Sequence, residues 1–65
     1  MKLDKQKFEI AKARKCLRTI DIAKKSGVSI PVLMKIGVEN YEMKPITVGK
    51  IAKALGVDVT ELLED

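Results

Sequence analysis

The clearest alternation of apolar and polar positions lies between residues 19 and 36, TIDIAKKSGVSIPVLMKI. At about 100° per residue, Thr19, Ile22, Ala23 and Ser26 share one face, and Ile20, Asp21, Lys24 and Lys25 share the other. This spacing predicts an amphipathic helix from Thr19 to Ser26. Ala23 is small enough to let a neighbouring helix approach closely. Gly27 ends the helix where a positive φ is wanted. Ser29 suits the N-cap of a following helix, and Pro31 suits its first turn, where a missing N–H costs little. Across that helix, 29–36, Val32, Leu33 and Ile36 point inward. Its outer face carries Ile30, Pro31, Met34 and Lys35, an unusually apolar set for a surface.

The flanking sequence predicts three more helices. Asp4 is a plausible N-cap for a first helix over 4–15. Its periodicity supports two stripes: Leu3, Ile10, Ala13 and Leu17 on one, Phe8 and Ala11 on another. Both stay in the expected core, with the wheel favouring the first. Residues 37–46, GVENYEMKPI, read as a loop. Thr47 is expected to cap a fourth helix that buries Val48, Ile51, Ala52 and Leu55 and stops at Gly56. Asp58 and Glu61 have the D-x-x-E spacing of a capping box opening a last short helix, with Leu62 and Leu63 as its apolar residues. The expectation is one all-α domain of five helices over residues 1–65, with no linker or internal repeat.

A 65-residue chain supports one small core and buries only about 60% of its unfolded surface. Phe8 and Tyr41 are its two aromatic residues, so that core must be aliphatic. The apolar share, 46%, is that of a globular chain. With one cysteine, Cys16, and no histidine, neither an internal disulfide nor a zinc site is expected, and Cys16 is expected to be a buried, inert thiol. No Gly-rich phosphate loop or carboxylate pair at catalytic spacing is present, so the sequence predicts no enzyme, cofactor or metal. No apolar run is long enough to span a membrane, and MKLDKQKFEI lacks the apolar stretch of a secretion signal. The expected compartment is the cytoplasm.

Charge changes the picture more than composition does. The net charge is +4. Residues 1–25 hold nine Lys/Arg against three Asp/Glu, whereas residues 26–65 hold four against six. A basic half suits a polyanion, since each neutralised phosphate releases counterions. It equally suits a small helical protein kept soluble by lysines.

Two blocks, LRTIDIAKKSGVSIPVLMKI (17–36) and KPITVGKIAKALGVDVTELL (44–63), together resemble the Cro/repressor-like (XRE) family of bacterial and phage DNA-binding proteins. The likeness covers residues 8–63, and the second block is similar to small repressor-like proteins of phages and mobile elements. The resemblance implies a five-helix, lambda-repressor-like domain with a helix-turn-helix at 19–36. It implies sequence-specific binding of double-stranded DNA by a homodimer, and transcriptional regulation, most simply repression, at the nucleoid. It places Ser29, Ile30, Pro31, Met34 and Lys35 nearest the bases. Thr19 stands where the family often has a phosphate-binding Gln, and Cys16 where it often has Gly. The family pattern also favours the Phe8 and Ala11 stripe. The end of the domain that holds Leu62 and Leu63 often makes the family's dimer contact.

The chain departs from the family at three places. Ile30, Pro31 and Met34 replace polar base readers, Gly37 replaces a polar residue, and the loop before Pro45 is slightly longer. Lys35 can reach guanine O6/N7, while Ile30 and Met34 can touch thymine methyl groups. The same two apolar side chains suit a protein partner, so a protein-interaction module of antitoxin or anti-repressor type is the alternative. Thr19 is either a phosphate ligand or a plain N-cap, or both. Arg18, Lys24, Lys25, Asn40 and Lys44 are candidates for the DNA backbone, with Lys50 and Lys53 making the fourth helix basic outside. Tyr41 is a further candidate in the same loop, where Asn40, Tyr41 and Lys44 touch either backbone phosphates or the partner subunit.

Overall fold

The computed structural model describes residues 1–65 and is all-helical. Its elements are α1 (Lys5–Lys15), α2 (Thr19–Ser26), α3 (Ile30–Leu33), α4 (Pro45–Leu55) and a closing 3-10 turn (Val59–Glu61). α2 packs on both α3 and α4, while α1 and the closing turn pack on α4. All thirteen buried residues are apolar and form one cluster. No helix is long and apolar enough to cross a membrane.

α1 begins where Asp4 predicts, with the Lys7 N–H donating to its carboxylate at 2.9 Å. It buries Phe8 and Ala11, whereas Ile10 is 45% exposed and Ala13 faces solvent. The wheel is misled by its ends. Leu3 precedes the helix and Leu17 comes after it, so neither obeys the helical period. The helix closes with a Schellman pair: Leu17 N–H donates to Lys12 O and Cys16 N–H to Ala13 O, both at 3.1 Å. Cys16 holds the left-handed position at φ 54°. That geometry turns its side chain away from the core, so the thiol is exposed rather than buried.

α4 also begins earlier than expected. Pro45 takes its first position and Lys44 is the N-cap, without a side-chain bond. Proline is preorganised for that position and forces the residue before it to be extended, as Lys44 is at ψ 145°. Thr47 therefore lies inside the helix and caps nothing. Val48, Ile51, Ala52 and Leu55 are buried as the pattern predicts. The Asp58–Glu61 capping box forms, with the Asp58 N–H donating to Glu61 Oε2 at 3.0 Å, but it opens only the 3-10 turn.

The segment before α1 joins the two ends of the fold. Leu3 and Leu63 form an isolated antiparallel bridge, flanked by Asp4 N–H to Leu62 O at 2.8 Å and Glu64 N–H to Lys2 O at 3.1 Å. On its other side, the Met43 N–H donates to Met1 O at 2.8 Å. This strap buries Leu3, Met43 and Leu62 together. Leu62 is fully buried inside the monomer and Leu63 is half-buried against Leu3. The expected dimer contact is thus corrected: Leu62 has no surface to offer a partner, and much of Leu63 is already covered.

Two substitutions check this packing by urea unfolding. Leu62→Ala should cost about 2–5 kcal/mol, as expected for a core leucine; a loss below about 0.5 kcal/mol would place Leu62 at the surface instead. Cys16→Gly should stabilise by about 0.5–1 kcal/mol by relieving the left-handed residue, and a destabilised variant contradicts the Cys16 geometry.

Candidate nucleic-acid interface

The surface that sequence reasoning singled out is built on α2, the turn Gly27–Ser29 and α3. Ile22, wholly buried, anchors α2 in the core. Gly27 at φ 74° turns the chain while its N–H closes the helix on Ala23 O. Ser26 fixes the path of the turn: its hydroxyl donates to Ile22 O at 2.7 Å and accepts the Val28 N–H at 3.1 Å. Val28 is buried beneath the turn. Ser29 then caps α3, accepting the Val32 N–H at 3.4 Å.

α3 is shorter than the expected 29–36. After Leu33 the α-helical pattern gives way to tighter i to i−3 bonds, Lys35 N–H to Val32 O and Ile36 N–H to Leu33 O. Ile36 is nonetheless buried as predicted. The tightening leads into Gly37, which has φ 86° and passes so close to α1 that an added Cβ would lie 2.7 Å from Lys5 Cβ. Glycine at this position therefore has a packing cause.

Ser29, Ile30, Pro31, Met34 and Lys35 all lie on the surface. Met34 is 62% exposed and Ile30 40%. The Lys35 ammonium sits 5.3 Å from the centroid of Tyr41. That cation–π contact orients the lysine from below while leaving its N–H groups free.

The expected backbone contacts divide into two groups. Arg18 is committed to Asp21: Nε to Oδ2 is 3.1 Å and Nη2 to Oδ1 is 3.2 Å. The same carboxylate accepts the Arg18 N–H at 2.8 Å. Arg18, not Thr19, is the N-cap of α2. Thr19 Oγ1 accepts from Lys12 Nζ at 3.0 Å, which leaves the threonine proton free to donate. Lys24, Lys25, Asn40 and Lys44 are exposed, and none of the three lysines takes part in an ion pair.

Folding thus rearranges the charge seen along the chain. Lys7 pairs with Asp65, Lys12 with Glu9, Arg14 with Glu61 and Arg18 with Asp21. Four cations of the basic N-terminal half are offset this way. Lys24, Lys25, Lys35, Lys44, Lys50 and Lys53, on α2, α4 and the loop between α3 and α4, are not, and neither are Lys2, Lys5 and Lys15. Sequence reasoning missed Lys12, because its partner Thr19 lies seven residues away across a helix end, where no helical period relates the two. It also missed the two-way bond of Ser26, whose inward position was legible but whose acceptor role was not.

No match to the chain was found among family models, curated proteins or solved structures. Any functional reading therefore rests on these residues and their arrangement.

Hydrogen bonds from the Arg18 side chain, and then its backbone N–H, hold the Asp21 carboxyl at about 2, below its ordinary 3.8. A lowered carboxylate stabilises the fold above its unfolded value and loses that contribution as pH falls. The pair should therefore weaken between pH 3.8 and about 2. Carboxyl NMR should report an Asp21 midpoint of about 2 that returns to the ordinary carboxylate range in Arg18→Ala; an ordinary midpoint in the native protein contradicts the pairing.

Proposed function

We propose that the chain is a sequence-specific double-stranded DNA-binding protein that regulates transcription, acting as a repressor by occupying a promoter. The observation that carries this reading is the outward set Ser29, Ile30, Pro31, Met34 and Lys35, presented by a short helix that α2 and its glycine turn hold in place. We read the four helices and the closing turn as a compact form of the five-helix repressor-like domain, with α2–turn–α3 as its helix-turn-helix. In this reading α2 crosses the DNA backbone and α3 enters the major groove. Ile30 and Met34 contact thymine methyls, and Lys35, steadied by Tyr41, reaches guanine O6/N7. Lys12 and the Thr19 hydroxyl meet a phosphate at the N-terminus of α2, an end where the helix dipole favours an anion. A homodimer would set two such elements about 34 Å apart, one turn of duplex.

One observation favours a second reading. Ile30, Met34 and the 54%-exposed Val38 put three large apolar side chains within a short stretch of surface. An antitoxin- or anti-repressor-type module would cover them with a protein partner.

Titration into random-sequence duplex at several salt concentrations separates the two. The DNA reading expects binding at low salt whose affinity falls steeply as salt rises; no binding, or salt-independent binding, refutes it. On a site selected from a random library, Met34→Ala with Lys35→Ala should lose about 1–3 kcal/mol, and unchanged affinity would refute this recognition face.

A further inference from the structure

Lysine side chains stand at both ends of α2. At its start is Lys12 of α1, which donates to Thr19 at 3.0 Å and also meets Glu9 at 3.4 Å. At its finish, Lys25 joins Lys50 and Lys53 of α4 around an open groove of about 460 Å³, completed by Ser26 and Ala54. No acidic side chain lines this groove, and none of its lysines has an ion-pair partner. The Ser26 hydroxyl is already spent on Ile22 and Val28, so the side-chain donors of the groove are its ammonium groups. Lys25 and Lys53 lie in the last turns of their helices, where the helix dipole favours a cation. Lys50 has no such support, and one turn from Lys53 it disfavours the helix by like-charge repulsion. No carboxylate within the monomer pairs with Lys50 or Lys53.

The spacing of the two ends suggests what does. The eight residues of α2 span about 12 Å at ~1.5 Å per residue, close to the ~12 Å width of the B-DNA major groove. We infer that Lys25, Lys50 and Lys53 form a second phosphate clamp on duplex DNA. With Lys12 and Thr19 on one strand, this groove holds the opposite strand, so that α2 bridges the major groove that α3 enters. The inference rests on the DNA reading above and adds to it a contact on α4 and the second strand.

The test compares salt dependence on one random-sequence duplex for the native protein, Lys50→Ala/Lys53→Ala, and Lys2→Ala/Lys15→Ala. The last removes equal charge from lysines outside the groove that are likewise free of ion pairs. Alanine at 50 and 53 favours α4, and unchanged thermal melting checks that the fold is kept. The expected result is a slope of log affinity against log salt that is shallower by about 0.9 per groove lysine, with the control pair unchanged. Equal slopes for native and groove variant overturn the clamp and leave the DNA reading standing. Equal losses in both variants also overturn it, as an effect of net charge alone. A native protein without salt-dependent binding removes the clamp and the DNA reading together. NMR titration with tripolyphosphate adds a further arm: saturable shifts at Lys25, Lys50 and Lys53 with an unaltered DNA slope would assign the groove to a small anion and overturn the clamp.

Discussion

The seating of α2 is the constraint on which the surface depends. Ile22 lies wholly inside a cluster that includes Leu33 of α3 and Val48, Ile51 and Leu55 of α4. Because α2 packs on both helices, it fixes their mutual arrangement. Gly27 and the two-way bond of Ser26 then dictate where the chain leaves α2 and where α3 starts. A four-residue α3 has too few internal hydrogen bonds to persist alone. Its position comes from Leu33 and Ile36 below and the Ser29 cap in front. The outer face of α3 is thus held from beneath by buried Leu33 and Ile36 and from in front by the exposed Ser29 cap.

A second device compensates for the small size of the core. Residues 1–4 run between the end of the chain and Met43 and bond to both. Lys7 reinforces the join by donating to Leu63 O at 2.8 Å and to Asp65 at 2.9 Å. Part of the positive charge in the N-terminal half is therefore used to hold the fold's ends together. Lys2, Lys5 and Lys15 stay unpaired on or beside α1, and the other unpaired lysines lie on α2, α4 and the intervening loop, next to the surface formed by α3.

The legible parts of the fold were those set by local chemistry. The bounds of α2, the Asp4 and Ser29 caps, the buried face of α4 and the Asp58–Glu61 box are all dictated by neighbouring residues. The illegible parts were set by distant contacts. The terminal strap decides the burial of Leu3 and Leu62, and the approach of Gly37 to Lys5 accompanies the early end of α3. Cys16 shows a local signal with its consequence misjudged, since a residue in glycine's place turns its side chain outward. At the candidate site, the exposure of Ile30, Met34 and Lys35 could be read from the helix wheel. The commitment of Arg18 to Asp21, and of Lys12 to Thr19, depends on side-chain geometry that periodicity does not encode.

The central claim is that the face formed by α2, its turn and α3 binds duplex DNA. The most direct measurement is the set of backbone-amide NMR shifts on adding a short duplex at low salt. The account predicts saturable shifts concentrated at Thr19–Ile20, Lys25 and Ser29–Lys35, with little change in the outer face of α1 around Ile10. Shifts centred on α1, or none at all at saturating duplex, would contradict it.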